Sequence, residues 1–281
     1  MKNLFAVILF AASFSAFAIG PKVPSIDPLL SRNSQKSFLN NPVFEGIVAF
    51  SNCSGSLVKF NGAPAAKKAI VMTNGHCLSG LKNGQVWVNK AASGKVGLFN
   101  HAKKRFPLEL KKVLYATMVD TDVTFYESNM TYEEIQSQYG VEALTIGEDL
   151  VAVGTPISIV SGYWEILTSC EAEAIAPILK EGDWIWKNSI RYSSKCMTKG
   201  GYSGSPVIAD NTRTVVGIHN TGNNGKLDCS DMNPCEQNEN GELIFRELNR
   251  RYAQQVYPFY GCLDANYDFD LTLASCSVPK P

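Results

Sequence analysis

Neither sign of charge is in excess: Lys and Arg number 26, and Asp and Glu number 26, among 281 residues. Without a basic surplus there is no electrostatic case for a nucleic-acid partner, and without a run of like charge there is none for a membrane surface. Long apolar runs are scarce as well; beyond the N-terminus no stretch is long enough to cross a bilayer. No two cysteines stand in the tight CxxC spacing of a zinc site. No convincing internal repeat divides the chain, and nothing points to a cofactor.

What is there begins with "MKNLFAVILFAASFSAFA": a lysine, an apolar run, then small residues ending Ala16-Phe17-Ala18. That order reads as a secretory signal over residues 1–18 with an A-x-A cleavage site, its apolar run being too short for a membrane span. Residues 19–43, rich in Pro, Ser and Asn, read as a leader or pro-segment. A secreted or periplasmic protein is therefore expected, soluble and free of the membrane once the signal is removed. Export puts the eight cysteines, at 53, 77, 170, 196, 229, 235, 262 and 276, where disulfides persist. Sequence alone does not choose among their pairings.

The hydrophobic content, 45%, is ample for a buried core. From Phe44 onward short apolar runs recur, among them "GIVAF", "GSLVKF", "AIVMT", "QVWVN", "VTFYES", "SPVIAD" and "TVVGIHN". Most are separated by Gly, Pro, Asn or Asp, the signature of an all-β barrel or sandwich. "MTYEEIQSQYG", near 130–140, is more helical and reads as a link between two halves. "FRELNRRYAQQVY", 245–257, has apolar residues at helical spacing and is the clearest helix candidate.

Three short stretches carry chemistry together. "TNGHC" gives His76, "DTDVTFY" gives Asp122, and "TKGGYSGSPV" gives Ser203 among glycines. A serine hydroxyl needs a neighbouring base, and histidine, with an ordinary pKa of about 6.5, can take and return its proton. A buried carboxylate can fix the imidazole's tautomer. His76 and Ser203 alone have plainer readings: a satisfied core or loop histidine, and a turn serine. His101, in "FNHAKKRF", reads as a loop residue. Asp120 competes with Asp122, which is preferred because the apolar strand begins directly after it.

In that order, "TNGHC", an Asp-Val strand and "GYSGSPV" followed by "VVGIHN" resemble the chymotrypsin-type serine peptidases. The resemblance covers roughly residues 44–257. It implies two six-stranded antiparallel β-barrels with a C-terminal helix: one barrel over 44–140, the second with the helix over 141–262, and a disulfide-tethered tail over 263–281. It implies His76 as general base and then acid, Asp122 as the orienting carboxylate and Ser203 as nucleophile. The backbone N–H groups of Gly201 and Ser203 would form the oxyanion hole. By the same resemblance Cys53 pairs with Cys77, pinning the histidine loop. The other cysteines are expected to pair as neighbours: 170 with 196, 229 with 235, 262 with 276.

Two departures bear on function. In the trypsin branch an aspartate precedes the nucleophile and receives a new N-terminal amine; here that position is Tyr202. The bacterial glutamyl endopeptidases are a closer likeness, sharing Gly-x-Ser-Gly-Ser-Pro-Val and Gly-Ile-His. That likeness implies that Thr198 and His219 touch an acidic substrate side chain; the plainer reading leaves Thr198 on a solvated loop and His219 filling a strand. "DCSDMNPCEQNENGE" gathers Asp228, Asp231, Glu236 and Glu239, but matches no calcium-loop pattern and reads as a solvated, disulfide-closed turn. The expectation is a serine endopeptidase acting on proteins or peptides. The alternative is a peptidase-like binding module without turnover, suggested by Tyr202 and the cysteine-rich tail.

Overall fold

A computed structural model describes residues 44–281; the expected signal (1–18) and leader (19–43) lie outside the described residues. The described chain is all-β, with one short α-helix among its described elements. Six strands come first: β1 (Ile47–Ala49), β2 (Ser54–Lys59), β3 (Lys68–Thr73), β4 (Val86–Phe99), β5 (Arg105–Thr117) and β6 (Val123–Thr131). Their antiparallel pairings run β1–β4–β5–β6–β3–β2 and return from β2 to β1, so the sheet closes on itself. Closure removes every free edge.

After helix α1 (Tyr132–Tyr139) and β7 (Leu144–Ile146) come β8 (Pro156–Ser161), β9 (Ile166–Glu181), β10 (Trp184–Tyr192), β11 (Pro206–Ala209), β12 (Thr214–Gly222), β13 (Cys235–Gln237), β14 (Leu243–Phe245) and β15 (Arg251–Gln255). A second antiparallel ring runs β12–β11–β8–β9–β10–β15 and closes from β15 to β12. Strand β7 joins the rings, pairing in parallel with β2 on one side and β12 on the other. The β13–β14 hairpin is added to β9.

Local sequence explains most of these elements. In β3, "KAIVMT", every residue after Lys68 is buried, as expected of a strand covered on both faces. In β9, Cys170, Ala172 and Ala176 are buried on alternate positions, the period of a pleated strand. Helix α1 starts at a reciprocal cap, Thr131 Oγ1 accepting from Glu134 N–H and Glu134 from Thr131 N–H. It stops at Gly140 in the left-handed conformation, a common helix end.

The helix expected over 245–257 does not form. Phe245 ends β14, Arg251–Gln255 is strand β15, and only a 3₁₀ turn follows at Tyr257–Cys262. Every residue of β15 is buried, held between β10 and β12, and its ladder completes the second ring. Leu248, on the would-be apolar stripe, is 49% exposed. Tertiary pairing outweighs the spacing here.

A core cluster combines Phe60, Tyr115 and Phe125 of the first ring with Ile208, Val215 and Ile218 of the second. Phe259 packs edge-on against Phe125, with ring centroids 4.8 Å apart. The tail beyond Cys262 is bound along the first ring: Lys67 meets Asp268 at 2.7 Å, and Tyr115 Oη donates to the Pro279 carbonyl at 2.8 Å.

Candidate active site

Three turns meet at the seam of the rings. His76 follows β3, Asp122 directly precedes β6, and Ser203 lies just before β11. Each turn is tied down. Asn74 Nδ2 donates to the Asp122 carbonyl at 2.8 Å, and His76 N–H donates to Asp122 Oδ1 at 2.9 Å. The Ser203 carbonyl accepts from Ser54 N–H of β2 at 2.8 Å, while Gly204 N–H donates to the His219 carbonyl of β12 at 2.9 Å. The serine turn is thus bonded to both rings. Cys53 and Cys77 form a disulfide with a sequence separation of 24, linking the start of β2 to the histidine turn. Loop closure of that size restricts the unfolded chain by about 3 kcal/mol.

Asp122 is fully buried, and its Oδ2 lies 2.5 Å from His76 Nδ1. The His76 side chain is 38% exposed. Desolvation opposes charge on this ring, but the charge and hydrogen bond of Asp122, with a contribution from Glu181, hold its pKa above the ordinary histidine value. Asp120 points to another partner: Lys187 Nζ lies 2.8 Å from its Oδ2. His101 is exposed.

Ser203, His76 and Asp122 line one cavity of about 430 Å³. No hydrogen bond joins Ser203 to His76 among the described residues; such bonds often tighten only when substrate binds. The glycine before Tyr202 has a steric reason. Gly201 has φ +94°, and a Cβ there would stand 2.6 Å from Tyr163 Cδ1 and 2.8 Å from Trp164 Nε1. Its carbonyl accepts from Ser54 Oγ at 2.8 Å, which fixes the peptide. Neither Gly201 N–H nor Ser203 N–H has an acceptor among the described residues. Tyr202 is buried, its hydroxyl 3.0 Å from Thr168 Oγ1 and its ring edge-on to His219.

Thr198 and His219 both line the cavity, and both are buried. His219 Nδ1 lies 3.3 Å from the Tyr192 hydroxyl. Burial, helped by the positive charge of Arg251 and by His76, depresses its pKa to about 3, so the ring is neutral at physiological pH. Sequence reasoning missed Glu181, Trp184, Trp186 and Arg251, which line the same cavity. The alternation Trp184-Ile185-Trp186 was the one available signal, since it places two indoles on one face of a strand.

The remaining cysteines pair 170 with 196, 229 with 235 and 262 with 276. In the acidic stretch Asp228, Asp231 and Glu239 are exposed, but Glu236 is buried against Arg191 at 2.7 Å and Tyr252 at 3.1 Å. The solvated-turn expectation fails for that residue because two strands cover it.

Two closed strand rings holding a histidine–carboxylate pair and a serine at their seam have the build of a peptidase domain. Residues 53–218 match the trypsin-like peptidase domain, and the chain belongs to that family. No curated protein sequence matches it. Among solved structures it is similar to the MamO protease domain of Magnetospirillum magneticum, with 14% identity over 77% of this chain and 95% of that one and a TM-score of 0.46. It is also similar to Cellulomonas bogoriensis chymotrypsin, with 15% identity over 77% and 92% and a TM-score of 0.40. A glutamic-acid-specific serine protease is similar at 19% identity over 75% and 91%, with a TM-score of 0.42.

Proposed function

We propose that the protein is an exported serine endopeptidase that hydrolyses peptide bonds through an acyl-enzyme. The observation that carries this reading is the buried Asp122 carboxylate 2.5 Å from His76 Nδ1, in the cavity that also holds Ser203. Bound this way, Nδ1 keeps the proton and Nε2 is left to act as the base. Nε2 takes the proton from Ser203 Oγ as that oxygen attacks the carbonyl carbon. The N–H groups of Gly201 and Ser203 receive the oxyanion. His76 then gives the proton to the departing amine, and water repeats the sequence on the acyl ester.

Four disulfides favour an oxidising compartment outside the cytoplasm, in keeping with the expected signal sequence. Thr198 and His219, both in the cavity wall, favour an acidic side chain before the cut. A neutral imidazole and a hydroxyl can each donate a hydrogen bond to a carboxylate.

The test is labelling of the mature protein by a fluorophosphonate probe, which reacts with an activated serine. Wild type should label and Ser203→Ala should not, with both folded by circular dichroism. A folded wild type that never labels refutes the enzyme. The second reading, a binding module on a peptidase scaffold, is favoured by the missing Ser203–His76 hydrogen bond and by Tyr202 in place of a carboxylate. It expects peptide binding without labelling.

A further inference from the structure

Arg251 opens strand β15 and is buried, 6% exposed, in the wall of the cavity that holds Ser203. A buried cation is costly unless a carboxylate or a full set of acceptors compensates it. The neighbouring arginines have carboxylates: Arg191 meets Glu173 and Glu236, and Arg250 meets Glu173 and Glu247. Arg251 has none within 4.0 Å among the described residues. Its contacts are carbonyls only: Nε to Thr198 at 3.2 Å, and Nη1 to Asn223 at 2.6 Å and Arg250 at 3.0 Å. A guanidinium carries five N–H groups. Those three bonds leave both hydrogens of Nη2 without a partner among the described residues, and Nη2 is not one of the sealed, unpartnered polar atoms.

The surroundings are built around this group. A Cβ at position 222 would stand 2.1 Å from Arg251 Cδ and 2.8 Å from its Nε, so only glycine lets the side chain cross β12. The carbonyl of Thr198, whose side chain was already a candidate, holds Nε. His219, across the same cavity, is kept neutral and adds no competing charge. The carboxylates that line the cavity are committed elsewhere or lie apart. Asp122 binds His76, and Asp231 is exposed. Glu181 accepts from Met232 N–H at 2.7 Å through Oε1, and its Oε2 is buried without a hydrogen-bond partner among the described residues, yet it lies beyond 4.0 Å of Arg251 and makes no ion pair with it. Lys199 Nζ sits over the Trp164 ring, 3.6 Å from its centroid.

We infer that Arg251 is the counter-charge for the substrate: its Nη2 pairs with the carboxylate of a glutamate or aspartate side chain on the residue preceding the scissile bond. The inference rests on the serine-peptidase reading. If Ser203 Oγ attacks the carbonyl carbon, the side chain beside that carbonyl belongs to the residue before the cut, and the cavity adjoining Ser203 receives it. A side-chain carboxylate there completes the donor set of a charge that the fold leaves unpaired. An amide of the same shape offers one neutral oxygen and leaves the guanidinium uncompensated, a loss typical of charged hydrogen bonds.

The experiment compares kcat/KM for two peptide amides that differ only in Glu or Gln before the cut. It uses wild type, Arg251→Met and Arg251→Lys, with fluorophosphonate labelling measured in parallel. Wild type should favour Glu by roughly 10- to 100-fold. Arg251→Met should collapse that ratio toward one, and Arg251→Lys should restore part of it. Should Arg251→Met not fold, the wild-type ratio and the lysine variant decide alone. A wild type that labels but cuts Gln and Glu equally, or prefers Lys or Arg, overturns the role of Arg251 and leaves the peptidase standing. A wild type that does not label overturns the peptidase; calorimetry with the same two peptides then tests the pocket, and equal affinity rejects it.

Discussion

Lowering the pH should unfold this protein partly through one ring, His219. Its imidazole is 3% exposed, hydrogen-bonded to Tyr192 and depressed to a pKa of about 3 by burial and by Arg251. In the unfolded chain the same ring titrates near 6.5. Between those two values the unfolded state binds a proton that the folded state refuses, so stability falls as the pH falls. Each pH unit in that window removes about 1.4 kcal/mol. Acidification from pH 7 to pH 4 therefore removes about 3 kcal/mol through this residue, a large part of a typical domain's stability.

Carboxylates also lose stability in acid, so a single curve does not isolate the ring. His219→Gln keeps an amide able to hydrogen-bond Tyr192 and cannot titrate. Urea unfolding of both proteins at pH 7 and pH 4 gives the difference of differences. Wild type should lose about 3 kcal/mol more than the variant over that interval. Equal losses would mean that His219 is already protonated or solvated in the folded state, and the account of a neutral ring beside Arg251 would be wrong.

Asp122→Asn should lower kcat/KM by about 10⁴-fold, as for the orienting carboxylate of a serine triad. It should also move the acidic limb of the pH profile to lower pH. The wild-type limb lies above the ordinary histidine value because Asp122 favours the charged ring, and activity appears only as that ring loses its proton; an asparagine leaves burial, which acts the other way. An unshifted limb would show that His76 is not the titrating base. Gly201→Ala places a methyl 2.6 Å from Tyr163 at a left-handed backbone position and should slow fluorophosphonate labelling by about 10²-fold, the scale of a lost oxyanion donor. Unchanged labelling would detach Gly201 from the oxyanion.

Much of this was legible because it is local. "NCSGSLV" and "TNGHC" are short strings that carry the resemblance to chymotrypsin-type peptidases, and the Cys53–Cys77 disulfide which that resemblance implied forms beside the paired strands β2 and β3. The preference for Asp122 over Asp120 also came from local pattern, since the apolar run begins at Val123 and draws the residue before it inward. The glycines around Ser203 signalled close approach without saying to what. The neighbours of Gly201, Tyr163 and Trp164, lie on the β8–β9 hairpin, and no spacing in the sequence announces that hairpin's fold over the serine turn.

The residue that sequence reasoning lost most completely is Arg251, and the reason is the misread helix. Phe245, Leu248, Tyr252 and Val256 recur at three and four, which puts Arg250 and Arg251 on the polar side of a helix, where arginine is ordinary and solvated. In the strand that forms instead, successive side chains take opposite faces. Arg250 then reaches Glu173 and Glu247, while Arg251 is carried into the second ring's wall against Thr198 and Gly222. A helical period and a strand period cannot be told apart over so short a run. What decides is a non-local fact, that β10 and β12 each present a free edge which only β15 can close. Arg251 thereby becomes part of the cavity wall only at that closure: shifting β15 by one residue would turn it to the other face and bring Arg250 or Tyr252 to the cavity. The register Gly222↔Arg251 is therefore the structural feature on which the charge selection we propose depends, and a Cβ at 222 would collide with the Arg251 side chain.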